Sequence, residues 1–154
     1  MPEKYKVIGL MSGTSLDGLD IVFCTFEHID GHWQYQLVQS KQIDYDPKRR
    51  AQLRDAIELS ATDLLALDAE FGKWLGLQVK RFVEEHNLSV DFVASHGHTI
   101  HHRPDLGYTN QIGSGAQLSI LSGLNVINDF RSNDVALGGQ GAPLVPIGDR
   151  LLFD

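Results

Sequence analysis

The chain has 154 residues, 42% hydrophobic and 21% charged, enough apolar content for one domain with a substantial core. Its 13 basic and 20 acidic residues leave a net charge of -7, and no basic run exceeds Lys48-Arg49-Arg50, which excludes an electrostatic nucleic-acid surface. A lone cysteine, Cys24, cannot close an internal disulfide. With the polar opening Met1–Lys6 and no apolar run near ~20 residues, it predicts a cytoplasmic chain without secretory leader or membrane span.

In chain order, Val7–Leu10 is a short apolar run that reads as a buried strand ending at a glycine-bearing loop. Asp20–His28, rich in β-branched and aromatic residues, predicts a second strand. Asp30-Gly31 is a hairpin signal, because glycine accepts positive φ at little steric cost. Trp33, Tyr35, Leu37 and Val38 open a third strand running to about Ile43. The period changes at Asp46-Pro47, where an N-capping carboxylate and a proline at the first helical position predict a helix. A second helix is expected from about Thr62, its capping residue, to His86-Asn87. Leu64, Leu67, Phe71, Leu75, Val79 and Phe82 form one apolar stripe along it.

Phe92–Ser95 predicts a further short strand, followed by a histidine-rich loop. Ala116–Leu121 predicts a short helix stopped by Gly123, and Val126-Ile127 marks another strand. Pro143 is expected to open a last helix through Leu151. No repeat or linker divides the chain. The order βββαβαβα predicts an α/β domain, a mixed five-stranded sheet with helices on its faces.

Four segments carry candidate chemistry. Between the first two strands, Gly9–Asp20 combines glycines, which admit close backbone approach to an anion, with the hydroxyls of Ser12, Thr14 and Ser15. Asp17 and Asp20 are suited to hold Mg²⁺ through water. A polar turn without ligand has the same composition, and the segment is neither a Walker A loop nor a nucleophile elbow. The second segment, Ser95–Pro104, holds four histidines but no carboxylate among them, short of the convergent ligand set a zinc site needs. In the third, Gln111–Gly115, a strand passes into a helix whose N-terminus attracts anions, although a plain turn reads the same way. The fourth runs from Asn128 to Pro146. Arg131 offers a fork of donors for a carboxylate or sugar oxygens, and Asp134 is placed to orient it or the substrate. Gly138–Gly141 allows close approach, with Gln140 as donor and acceptor. A surface ion-pair cluster is the competing reading of Arg131 and its acidic neighbours.

Taken together, Met11-Ser12-Gly13-Thr14-Ser15-Leu16-Asp17-Gly18-Leu19-Asp20, Ser95-His96-Gly97-His98-Thr99-Ile100-His101-His102, and Asp129-Phe130-Arg131 through Asp134 to Gly138–Pro146 resemble the signature blocks of the anhydro-N-acetylmuramic acid kinases. The resemblance spans essentially the whole chain. Three positions depart from it or from its superfamily: Met11 stands where many superfamily members carry Asp, His98 where an amide is common, and Asn133 where a basic residue is frequent. It implies the half-domain of the actin/hexokinase (ribonuclease H-like) fold, with residues 1–154 as the N-terminal lobe of a two-lobed kinase whose second lobe is absent from the chain. It further implies ATP and Mg²⁺, and phosphorylation of 1,6-anhydro-N-acetylmuramic acid with hydrolytic opening of the anhydro ring.

On this resemblance Ser12, Gly13, Thr14, Ser15, Leu16, Asp17, Gly18 and Leu19 face the phosphates, with Asp17 near the metal through water. His98, Thr99, Arg131, Asp134, Gly139 and Gln140 contact the sugar. No catalytic base is expected in this chain, because the family's base lies in a later Asp-x-Gly-Pro-Gly-Asn segment. Full-length members are expected to be homodimers. The alternatives are a nucleotide-binding, chaperone-like module of the same superfamily, or a metal-binding hydrolase built on His96–His102.

Overall fold

A computed structural model describes residues 3–153; Met1-Pro2, part of the polar opening, and Asp154 lie outside the described residues. Strand β1 (Glu3–Ser12) pairs antiparallel with β2 (Gly18–Ile29), which pairs antiparallel with β3 (His32–Asp44). The Asp30-Gly31 turn has φ of 52° and 87°, the two positive values that a tight hairpin demands. Strand β4 (Phe92–Arg103) lies parallel to β1 on its other side. The order is β3-β2-β1-β4, and beyond β4 the edge divides. The first half of β4 pairs parallel with β6 (Asn125–Asn128), and its second half pairs antiparallel with β5 (Tyr108–Ile112).

This is an open, mixed α/β sheet with helices on its faces, as the composition of the elements predicted, but with six strands among the described residues rather than five. The additional strand is β5. The histidine segment expected to be a loop is instead the continuation of β4, held in extended form because β5 supplies its hydrogen-bond partners.

Helix α1 (Pro47–Asp55) starts where Asp46 accepts a 2.7 Å hydrogen bond from the Arg49 backbone N–H. After a 3-10 turn comes α2 (Ala61–His86). Its cap is Ser60, not Thr62: the Ser60 hydroxyl accepts from the Asp63 N–H and donates to the Asp63 carboxylate. The helix ends at Asn87 in the left-handed region. Leu67, Phe71, Leu75, Val79 and Phe82 are all buried against Ile8, Leu10, Leu19, Ile21, Phe23 and Val93, so the stripe covers one face of the sheet. Each such side chain contributes about 1.5–3 kcal/mol by leaving water.

Helix α3 (Gly115–Ser122), closed by Gly123, packs on α2 at unusually short range. A Cβ on Gly72 would sit 2.5 Å from the Ser114 carbonyl oxygen, and one on Gly76 would sit 2.8 Å from that of Leu118. A short helix absent from the sequence reading, α4 (Ser132–Ala136), follows β6, and α5 (Leu144–Phe153) follows the glycine loop. Neighbouring residues of a strand face opposite ways. Val7 accordingly lies on the other face from Ile8, in an apolar groove shared with Tyr5, Phe26, Trp33, Leu151 and Leu152.

Candidate functional site

The parallel strands β1 and β6 both finish beside the middle of β4. Register pairs Ser12 with His98 and Ser95 with Asn128, so the loop after β1 and the segment after β6 are carried to the same end. Open α/β sheets gather ligands there. Between them β5 and β6 part company along β4, and the gap is a cleft of about 290 Å³. Its walls include Ser95, His96, Gln111, Ser114, Asn128 and Asp129. Gly97 makes the gap. Its φ of 71° places a bulge in β4, and a Cβ there would stand 2.6 Å from the Ile112 carbonyl oxygen.

The cleft is polar and incompletely satisfied. Ser95 is 1% exposed, yet its hydroxyl has no hydrogen-bond partner, and the same holds for the Asn110 side-chain oxygen. Buried polar atoms without partners cost about 1–3 kcal/mol each, a cost that an incoming hydroxyl removes. The N-terminus of α3 forms part of the rim, with Ser114 as its cap. Asp68 of α2 reaches across to accept a 2.7 Å bond from the Gly113 N–H.

A second, smaller cleft of about 190 Å³ is lined by Thr14, Leu16, Arg54, His98, Thr99 and Ile100. Thr99 thus lies beside the β1–β2 loop, and Gln111 links the two clefts by donating to the Thr99 hydroxyl at 3.4 Å and to that of Thr109 at 2.7 Å. Within the loop, Gly13 and Leu16 close a turn, and Leu16 takes a left-handed φ of 59°. Asp17 accepts from the Ser15 hydroxyl at 2.7 Å and the Gly18 N–H at 3.1 Å, both on Oδ1. The Ser15 bond is the main reason its carboxyl is held below the ordinary range. Asp17 is exposed and ionised, with Oδ2 left over. A carboxylate of that kind suits Mg²⁺, which takes one or two protein oxygens and keeps water for the rest.

Ser12 and His98 are turned into the protein instead. Each is 2% exposed, they share a 2.9 Å hydrogen bond, and the Tyr45 hydroxyl donates to Ser12 at 2.7 Å. Burial pushes the Tyr45 phenol up to about 12 and the His98 ring down, so both stay neutral around pH 7. Gly18 and Leu19 are buried at the start of β2, leaving Gly13–Asp17 as the outer arc, with Thr14, Ser15 and Asp17 exposed and Gly13 and Leu16 half-buried.

Arg131, Asp134 and Gly139 meet one another. Arg131 donates from Nε to His96 Nε2 at 2.9 Å and from Nη1 to the Gly141 carbonyl at 2.7 Å. Asp134 accepts from the Gly141 N–H at 2.7 Å and packs so closely on Gly139 that a Cβ there would overlap its carboxylate. Gly141 itself has φ of 75°, which a side chain would strain. Gln140 is exposed on the same loop. The histidines diverge: His96 engages Arg131, His98 faces Phe71, and His102 bonds the Thr109 hydroxyl. Among the described residues no three His, Cys, Asp or Glu side chains could hold a metal ion together.

Sequence reasoning passed over Asp68 and Asn110, and it gave Ser95, His96 and Asp129, which lie within its second and fourth segments, no contact with the sugar. Asp68 reads as the polar face of an amphipathic helix, 45 residues before the Gly113 N–H it binds. Asp129 carried a faint signal, an acid directly after a strand. In the structure it has φ of 60° and caps the turn to Ser132.

Residues 5–154 match the family model for anhydro-N-acetylmuramic acid kinase. Among curated relatives bearing that name, the one from Synechococcus elongatus is 36% identical over 155 residues, covering 96% of this chain and 41% of its own length. The Rhizorhabdus wittichii relative is 38% identical over 162 residues, with 97% and 43% covered. That from Bordetella avium is 44% identical over 146 residues, with 90% and 37% covered. The chain spans about two fifths of the length of the curated relatives it matches. A family match over nearly every residue, on a fold that carries the motif-bearing segments together along β4, makes the chain a member of the anhydro-N-acetylmuramic acid kinase family.

Proposed function

We propose that residues 1–154 form the N-terminal lobe of a two-lobed kinase that transfers the γ-phosphoryl group of ATP to the 6-oxygen of 1,6-anhydro-N-acetylmuramic acid, with water opening the anhydro bridge. The product is N-acetylmuramic acid 6-phosphate, formed in the cytoplasm, and the working protein is a homodimer. The observation that carries this reading is the polar cleft where β5 and β6 part along β4, with the unpartnered oxygens of Ser95 and Asn110 at its wall. A sugar is a dense array of hydroxyls, and such a site offers it partners at fixed positions.

In this reading the sugar occupies the cleft, within reach of Thr99, Gln140 and the Arg131 guanidinium. The outer arc Gly13–Asp17 presents backbone N–H groups and hydroxyls to the phosphates. Ser12 and His98 anchor the base of that arc through Tyr45 rather than touching the ligand. Mg²⁺, when bound, neutralises phosphate charge, and Asp17 holds it through water. The base that activates water comes from the second lobe.

The reading is tested by appending the portion of the Synechococcus elongatus relative that lies beyond the matched region, then following ADP release. Release that needs the anhydro sugar supports it. Release indifferent to sugar favours a chaperone-like nucleotide module instead. Residues 1–154 alone should release no ADP with sugar, ATP and Mg²⁺, since positioning and charge stabilisation are needed on both sides of the γ-phosphate. Turnover near ~1 s⁻¹ by the lobe alone would place the catalytic residues within it.

A further inference from the structure

His96 stands at the bulge of β4, half-buried in the cleft wall, and both of its ring nitrogens are engaged. Nδ1 lies 3.1 Å from the Gly97 carbonyl oxygen. A carbonyl only accepts, so Nδ1 carries the proton and Nε2 is left as an acceptor. The Arg131 Nε–H fills it at 2.9 Å. From Arg131 the chain of bonds continues through Nη1 to the Gly141 carbonyl, from the Gly141 N–H to Asp134, and from the Gly139 N–H to the Asp134 backbone carbonyl at 2.8 Å.

These bonds join β4, the turn after β6, α4 and the glycine loop. Neither α4 nor that loop belongs to the sheet, so no strand pairing holds them. A guanidinium anchored at two points has one orientation, with Nη2 remaining for a ligand. An unanchored arginine would lose side-chain entropy on binding.

We infer that His96 is a positioning residue of the cleft: its Nε2 lone pair fixes the Arg131 guanidinium, which in turn holds the glycine loop through Gly141. This deepens the kinase reading and rests on it. The charged or titratable groups around the pair are Asp68 from α2, Asp129 from the turn after β6, Asp134 from α4, and His98 and His102 from β4.

Two substitutions separate positioning from a generic brace. In His96→Gln the amide oxygen can occupy the Nε2 place and accept from Arg131, whereas the shorter His96→Asn reaches only the Nδ1 place. Both are compared with the native 154-residue chain in two measurements. One is the exchange rate of the Arg131 Nε–H proton by ¹⁵N NMR without ligand. The other is affinity for 1,6-anhydro-N-acetylmuramic acid by calorimetric titration. The native chain and His96→Gln should protect the Arg131 proton and bind the sugar within about threefold of each other, while His96→Asn exposes it and binds about tenfold weaker.

An Arg131 proton equally protected in His96→Asn overturns the inference, whatever the sugar does. So does loss of protection without loss of affinity, which would make His96 a brace only. No sugar binding by the native chain, with the Arg131 proton protected, removes the kinase reading of this cleft and the positioning role with it. Should His96→Asn not fold, Arg131→Lys carries the test, since a lysine keeps the charge but cannot span both acceptors. The same tenfold loss of affinity is then expected, and unchanged affinity overturns the inference.

Discussion

Replacing Gly97 by alanine tests whether the bulge in β4 is required where the sheet edge divides. At φ of 71° an L side chain costs about 1–2 kcal/mol. The new methyl would also stand 2.6 Å from the Ile112 carbonyl oxygen, well inside van der Waals contact. That oxygen belongs to the β5 backbone, so no rotamer change relieves the contact and the β4–β5 pair must part. Losing about one strand hydrogen bond and straining its neighbours adds roughly 2 kcal/mol. Gly107 is the internal control, because its φ of 78° carries the same backbone cost while nothing lies within 4 Å of its Cβ position. Urea denaturation should therefore show a loss of about 3–4 kcal/mol for Gly97→Ala against about 1–2 kcal/mol for Gly107→Ala. At this chain length the difference corresponds to roughly 4–8 °C between the two thermal midpoints. Sugar affinity should fall for Gly97→Ala and stay level for Gly107→Ala. Equal losses of stability in the two variants would refute the steric argument.

Phe71 is fully buried, stacks on Trp74 at 5.7 Å and lies under the Arg49 guanidinium, so Phe71→Ala should cost about 3–5 kcal/mol in urea unfolding. Asp17→Asn in the two-lobed protein should lower kcat at least about tenfold with little change in the sugar KM, if the carboxylate serves the phosphates; equal small effects on both would deny it that role. Burial holds the folded-state values of His96 and His98 below the ordinary 6.5, with the Arg131 cation reinforcing this at His96. As pH falls, the unfolded chain therefore takes up these protons first. Their contribution is complete above about pH 6.5 and is lost progressively below it, so urea midpoints should hold level down to about that pH and drop as the pH falls further. His96→Gln should reduce that drop, and an unchanged drop would exclude His96 as a source.

Local chemistry was enough to place most elements. Asp46-Pro47 caps α1, Asp30-Gly31 turns the β2–β3 hairpin, and the three- and four-residue spacing from Leu67 to Phe82 defines the face of α2. Each depends on residues within one or two turns of chain, which a linear sequence displays. The cap of α2 was misplaced by two residues because Ser60 and Thr62 offer the same hydroxyl, and only the bond to the Asp63 N–H distinguishes them. The histidine segment read as a loop because four polar rings fit a surface. Its extended form comes from pairing with Tyr108–Ile112, a partner that no local pattern in Phe92–Arg103 reveals. The motif blocks identified the family, yet not which of their side chains point outward. Ser12 and His98 turn inward because Tyr45, some thirty residues after Ser12, donates a hydrogen bond there. His96 enters the site because the bulge at Gly97 and the return of Arg131 meet at one point. Such outcomes belong to tertiary structure, since burial and hydrogen-bond partnership are properties of pairs of residues far apart in sequence.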